Sequence, residues 1–354
     1  MKGGMWDKWR PAVLMAIVQI TFAACNILYK LTIYDGMSTI ILSAYRLAFA
    51  ALTTIPLALV FERQRPNMTW KVFGLAFLSG LFGGTLFQNL FYGAMTLAPA
   101  TLVSALYNLI PSITFILAIS IGFEKLNWGA AAGKAKVFGT ISGLVGAMVL
   151  AFYKGIVFDI WPFHFNLYSL LPGHENADPG SNELLGALSV IASCFCFSVW
   201  LIIQAKINEV YPCYYTSIAL MCTIGAIQSI IFGLCVERDW NQWKMGWDVR
   251  LLTAAYSGIM ASGFMIIFIA YCIRVRGPLF ASSFNPLMLV LVAIVASLTL
   301  DEKLYLGSAI GSVLIVIGLY AVLWGKSKEM QKMTQSKPSE TTEDSEATRP
   351  LLDP

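Results

Sequence analysis

Asparagine and proline stand close together twice in this chain, as Asn108 with Pro111 and as Asn285 with Pro286, each time inside a long apolar run. A proline within a helix has no N–H to donate and leaves the carbonyl four residues earlier unpaired. The carbonyls freed here are those of Tyr107 and Ser282. Exposed backbone of that kind is tolerated at membrane depth only beside protein or a watery cavity. Asn108 and Asn285 therefore either bind a solute at two proline hinges, Pro111 and Pro286, or satisfy the broken ladder beside them. Recurrence of the pair in two separate runs favours the first.

Other polar side chains share helical faces. Gln19, Ala23, Asn26 and Lys30 follow one another at spacings of four, three and four residues, a polar stripe on one helix. A charge at the bilayer centre costs about 2.5–3.5 kcal/mol, so Lys30 either lines a wet cavity or anchors at the interface. Arg46, about two turns inside the next run, is assigned a structural role, snorkelling or pairing with backbone carbonyls. Gln88 and Tyr92, four residues apart, present an amide and a phenol that suit the carboxylate or ammonium of an amino acid, or that glue helices together. Trp200 and Gln204 share a face in a later run. Trp200 is either a cavity wall or an aromatic of the headgroup belt.

Missing residue types narrow the chemistry. No Asp, Glu or His lies in the interior of an apolar run, and His164 and His174 fall in one long connection. Proton relays normally use such groups, so a facilitator or exchanger is expected. Glu124 and Glu302 stand at run ends, as couplers or as caps. The seven cysteines follow neither a disulfide framework nor a zinc-site spacing. No phosphate loop or catalytic triad appears, so no catalytic residue, metal or cofactor is expected. The 24 Lys and Arg are scattered between apolar blocks, which argues against nucleic acid as a partner.

The elements that must position these groups are membrane spans. The chain has 354 residues, 57% hydrophobic and 12% charged, against roughly 25% charged in a soluble domain. A helix crossing the hydrocarbon needs about 20 apolar residues, and ten segments qualify: 11–31, 38–61, 72–95, 99–121, 137–153, 184–204, 214–236, 251–273, 279–300 and 306–324. The first has no small-residue cleavage site and reads as a retained helix. Basic residues are retained on the cytoplasmic side. With the N-terminus inside, that side receives Lys2, Lys8, Arg10, Arg63, Arg65, Lys71, Lys125, Lys134, Lys136, Lys206, Arg274 and Arg276, together with the basic residues of the tail. Lys154, Arg238, Lys244, Arg250 and Lys303 fall on the far side. Both termini are then cytoplasmic. The expected organisation is a cytoplasmic N-terminus 1–10, five spans over 11–153, an extracytoplasmic connection 154–183, five spans over 184–325, and a disordered tail 326–354 poor in apolar residues.

The two sets of five spans repeat each other. Tyr92, Pro99, Asn108 and Glu124 recur as Tyr271, Pro278, Asn285 and Glu302, at offsets of 177 to 179 residues, and Lys30 recurs as Lys206. An odd number of spans per half puts the copies in opposite orientation, the usual scaffold of alternating access. The fold class is thus all-α integral membrane, ten transmembrane helices as two inverted five-helix repeats.

The ten-span pattern, Asn108-Leu109-Ile110-Pro111, Asn285-Pro286-Leu287 and the ends Glu124-Lys125-Leu126 and Glu302-Lys303-Leu304 resemble the drug/metabolite transporter superfamily. Lys30, Tyr45-Arg46, Gln88-Asn89-Leu90, Tyr92-Gly93 and Tyr211-Pro212 are similar to its plant EamA-type branch, the Walls-Are-Thin-related or nodulin-type transporters. The likeness covers about residues 10 to 325. It implies a secondary transporter of small polar metabolites, amino acids first and auxin or another small organic solute second, working by alternating access. A membrane-embedded enzyme, a receptor or a channel is the reading from another class. The partners are the lipid bilayer and a small solute, and the sequence is compatible with a homodimer. Glu346 followed by Leu351-Leu352 is one residue too long for an acidic dileucine sorting signal, so the plasma membrane is expected ahead of the vacuolar membrane.

Overall fold

The computed structural model describes residues 5–63, 66–122, 129–153, 155–158, 182–277, 280–281, 284–299 and 304–335. Ten helical segments are found among them: α1 (Met5–Tyr34), α2 (Thr39–Phe61), α3 (Trp70–Leu97), α4 (100–120), α5 (Ala131–Phe152), α6 (Glu183–Val210), α7 (Tyr214–Val236), α8 (Val249–Arg276), α9 (Asn285–Thr299) and α10 (Leu306–Gln335). Eight are long and apolar enough to cross a membrane; α5 and α9 occupy the places expected of the fifth and ninth spans. In lipid every backbone N–H and C=O must pair within the chain, and helices accomplish this locally.

Two expected boundaries and one local expectation are corrected. The first helix starts at Met5, so the separate N-terminal segment 1–10 is partly helix. Lys136 of α5 forms an ion pair with Glu329 of α10, and α10 runs on to Gln335, past the expected start of the disordered tail at 326. The tail beyond 335, most of the 154–183 connection with both histidines, Glu124 and Glu302 lie outside the described residues. The third correction concerns the prolines. Neither kinks a continuous helix: Pro111 and Pro286 each stand second in a new helix, Ile110–Ser120 and Asn285–Thr299. There a missing N–H costs nothing, because first-turn N–H groups have no helical acceptor anyway.

Helices of one half pack on helices of the other in a pattern that survives exchange of the halves. α2 packs on α7 and α5 on α10, each helix with its own repeat equivalent, while α1 with α8 and α9 mirrors α6 with α3 and α4. A short antiparallel pair, β1 (Val157–Phe158) with β2 (Leu304–Tyr305), joins the segment after α5 to the one before α10. Both segments therefore lie at the same face of the bundle. α5 and α10 approach so closely that a Cβ on Gly139 would sit 2.2 Å from the Gly318 carbonyl oxygen.

Two helices contain a wider turn. In α3 it spans Gly80–Leu86 and in α8 Ser257–Met265, both π-helical and at the same repeat offset. Insertions of this kind rotate the following side chains by a fraction of a turn and concentrate at functional sites. Each also brings a glycine onto the second helix of the other half, Gly80 onto Gly225 and Gly258 onto the Arg46 carbonyl.

Candidate functional site

A cavity of about 40 Å³ opens at the centre of the bundle. Its walls come from both halves of the single chain: Asn26 and Tyr29 from α1, Arg46 from α2, Gly83 and Gln88 from α3, Tyr107 from α4, Phe197 and Trp200 from α6, Met221 from α7, Ser262 from α8 and Met288 from α9. Gly83, within the wide turn of α3, makes room for the indole of Trp200; a Cβ there would lie 2.3 Å from the ring.

Arg46 is the cation of this cavity and is 6% exposed. The structure corrects its expected role, since it neither snorkels nor pairs with backbone carbonyls. Its Nε donates to Ser262 Oγ at 2.6 Å and its Nη1 donates to the Tyr92 hydroxyl. The rings of Tyr29 and Tyr92 lie 5.5 and 5.8 Å from the guanidinium carbon, a favourable placement of a cation over π faces. No carboxylate pairs with it among the described residues. A buried charge without a counter-ion carries a large desolvation penalty, which an anionic solute entering the cavity would offset.

The sequence candidates divide into three groups. Asn26, Gln88 and Trp200 line the main cavity, and Tyr92 supports it through Arg46. Gln88 accepts from Ser43 at 3.5 Å, and Asn26 donates to Ser104 Oγ at 3.4 Å. Trp200 is fully buried, with its indole N–H directed to Met221 Sδ at 3.1 Å, so it is a cavity wall and not an interfacial aromatic. Asn285 lines a second, water-sized cavity of about 10 Å³ together with Gln19.

Lys30, Gln204 and Asn108 line neither cavity. Lys30 donates to the carbonyls of Met95 and Ala98 at 2.8 and 2.7 Å, where an ammonium answers the negative end of α3. Gln204 donates to Asn208 and to Ser217 Oγ at 3.2 and 3.1 Å, tying α6 to α7. Asn108 turns back to the carbonyls of Ser104 and Ala105 at 2.9 and 3.2 Å, the ladder-satisfying alternative. The carbonyl of Tyr107, expected to be free, accepts instead from the N–H of Ile110 in a tight 3-10 turn. Ser282 lies outside the described residues.

Sequence reading missed Tyr29, Gly83, Tyr107, Phe197 and Ser262. The glycine-rich run 80–84 and its small-residue counterpart 257–263 were the signal available for Gly83 and Ser262.

The EamA-like transporter family matches residues 9–152 and 184–324, one match on each half. The WAT1-related protein At1g68170 of Arabidopsis thaliana is 43% identical, over 94% of this chain and 94% of its own length. The WAT1-related proteins At1g25270 and At5g13670 of the same plant are 41% and 39% identical, over 90% and 93% of this chain and 90% and 88% of their own lengths. One crystal structure is alike over 86% of this chain and 98% of its own, with a TM-score of 0.53 at 18% identity, which shows a shared fold.

Proposed function

This chain belongs to the EamA-like transporter family and is a membrane transporter of small solutes, and from that premise we propose that its cargo is a small carboxylate-bearing metabolite, amino acids foremost. One observation carries the reading: a buried guanidinium without a carboxylate partner among the described residues, facing a cavity walled by aromatic rings. Arg46 would take the carboxylate through charge-assisted hydrogen bonds. The amide oxygens of Asn26 and Gln88 and the ring faces would take the ammonium, and Phe197 and Trp200 the apolar body.

A second reading has its own support. No acidic side chain lines the cavity among the described residues, which suits an auxin-like aromatic acid with no ammonium to neutralise. The same absence, extended to His, favours a facilitator over a proton-coupled pump. Alternating access fits the inverted halves, since the walls of one cavity belong to both. We place the protein in the plasma membrane with both termini cytoplasmic, and the vacuolar membrane second.

Counterflow in liposomes tests the assignment. Vesicles preloaded with a mixture of unlabelled amino acids and small aromatic acids should show saturable uptake of a labelled member, accelerated by the internal load. Uptake should be unaltered when the pH gradient is collapsed. Absence of flux across amino acids and aromatic acids alike would remove the carboxylate reading.

A further inference from the structure

The smaller cavity lies on the side of the main one where α1 begins and α8 ends. Along α1 the linings pass from Tyr29 and Asn26 to Gln19 and Met15, and along α8 from Ser262 to Ile269. Phe22, Tyr107 and Phe197 line both spaces and stand between them, with the ring centroids of Tyr107 and Phe197 5.7 Å apart. At about 40 and 10 Å³ neither space has room for a metabolite, and the smaller holds about one water. A solute therefore passes on this side only when helices separate. Gln19 of α1 and Asn285 of α9 close the seam. Both are buried, and Gln19 Nε2 donates to Asn285 Oδ1 at 3.2 Å. Two primary amides can exchange two hydrogen bonds; this pair makes one. Gln19 Oε1 and Asn285 Nδ2 are buried with no partner among the described residues. The repeat equivalent of Asn285 is bonded differently, since Asn108 donates to carbonyls of its own helix.

One hydrogen bond across the seam holds it shut, while two unmet polar atoms raise the energy of the shut state. Separation of α9 from α1 hydrates all four amide atoms and relieves that cost. We propose that Gln19 and Asn285 form the latch of one gate, through which the main cavity opens toward the side where α1 begins, and that their incomplete pairing keeps the latch weak enough to release. Shut and open states then differ little in free energy, as a cycling gate requires. The inference rests on the alternating-access reading and not on the cargo. A latch differs from a structural bond in the sign of its mutational effect. Removing a bond that only glues helices loosens the fold. Replacing both amides by apolar groups of the same shape removes the unmet atoms together with the bond, which is neutral or stabilising, and so fastens the gate.

Cys25 is a free thiol lining the main cavity, and its modification by a small charged thiosulfonate, read by peptide mass spectrometry, reports opening without any transported solute. The reagent is added to sealed vesicles holding the full chain in one orientation or the other, so that each face is probed separately. Wild type should react from both faces. Gln19→Met combined with Asn285→Leu should slow the reaction from the face where α1 begins about tenfold, the order expected for one unmet polar group. It should not slow the reaction from the other face, and its melting temperature should equal or exceed that of wild type. Gln19→Met alone leaves Asn285 without its partner and should react at least as fast as wild type from the first face; it decides the matter if the double variant yields no protein. An unslowed reaction or a lower melting temperature in the double variant, equal slowing from both faces, or a slowed reaction in Gln19→Met alone overturns the latch. If wild type reacts from one face only or from neither, the alternating-access reading falls and the latch with it; if it reacts from both and the rates ignore Gln19 and Asn285, the latch alone falls.

Discussion

Arg46 shows how the meaning of one side chain depends on what surrounds it. Its type and depth were readable from the chain, and a lone arginine two turns into a span is ordinarily a snorkelling or carbonyl-bound group. Its partners are not local: Ser262 is 216 residues away and Tyr92 is 46 residues away, so no spacing rule could have assigned them. The guanidinium is held by neutral oxygens and aromatic faces at the wall of the main cavity. Replacing it by Gln retains some hydrogen bonding and removes the charge. Hydrogen bonds to charged groups contribute roughly 1.5–3 kcal/mol, so Arg46→Gln should reduce counterflow of a labelled carboxylate solute at least tenfold while the protein still reaches the membrane. Arg46→Lys should not restore it, because an ammonium lacks the planar fork. Wild-type flux in either variant would remove Arg46 from the site.

At the level of elements, the wide turns of α3 and α8 and the broken fourth span do the positioning. Pro111 and Pro286 drew attention to the fourth and ninth spans, and each stands second in a helical segment, Ile110–Ser120 and Asn285–Thr299. Pro111 begins a helix after a 3-10 turn that already uses the Tyr107 carbonyl. π-helical turns carry no sequence signature of comparable strength, although both lie in stretches of small residues. Two glycines within them make separable predictions. A Cβ at Gly83 would meet the side chain of Trp200 at 2.3 Å, and the indole can yield only into the cavity, so Gly83→Ala should give a stably inserted protein with strongly reduced flux. A Cβ at Gly258 would meet the Arg46 carbonyl oxygen at 2.6 Å and Phe49 Cβ at 2.5 Å, where helices themselves must separate. Overpacking costs about 1–3 kcal/mol or more, so Gly258→Ala should lower the yield of monodisperse protein on size-exclusion chromatography. Equal loss of yield in both variants would contradict the distinction.

For the molecule as a whole, orientation is the property most open to refutation. Asn67-Met68-Thr69 is a glycosylation sequon in the exposed segment between α2 and α3. Arg63, Arg65 and Lys71 flank it, and Lys2, Lys8 and Arg10 precede the first span on the same side, which keeps the segment cytoplasmic under the positive-inside rule. Asn67 should therefore carry no glycan. A sequon engineered into the 154–183 connection should be modified in the same cells and so provides the positive control. A gel shift on endoglycosidase treatment that Asn67→Gln abolishes would reverse the first half of the topology. The antiparallel contact of Val157–Phe158 with Leu304–Tyr305 adds an independent constraint, since the ends of α5 and α10 that it joins must share a side.

The sequence by itself determined that this is an all-helical membrane protein, where most spans lie, and that its halves repeat, because the bilayer imposes span length and apolar composition on each helix separately. It also supplied a set of polar residues and the family to which the chain belongs. Which of those residues line a cavity was decided only by tertiary structure. Asn26, Gln88 and Trp200 meet in one cavity, Asn285 lines another with Gln19, Lys30 binds a helix end, Gln204 a neighbouring helix and Asn108 the carbonyls of its own helix. The reason is physical: in lipid a polar side chain must find a partner somewhere in the bundle, whether it serves transport or packing. The two uses share one residue pattern along the chain and separate only when helices distant in sequence come together.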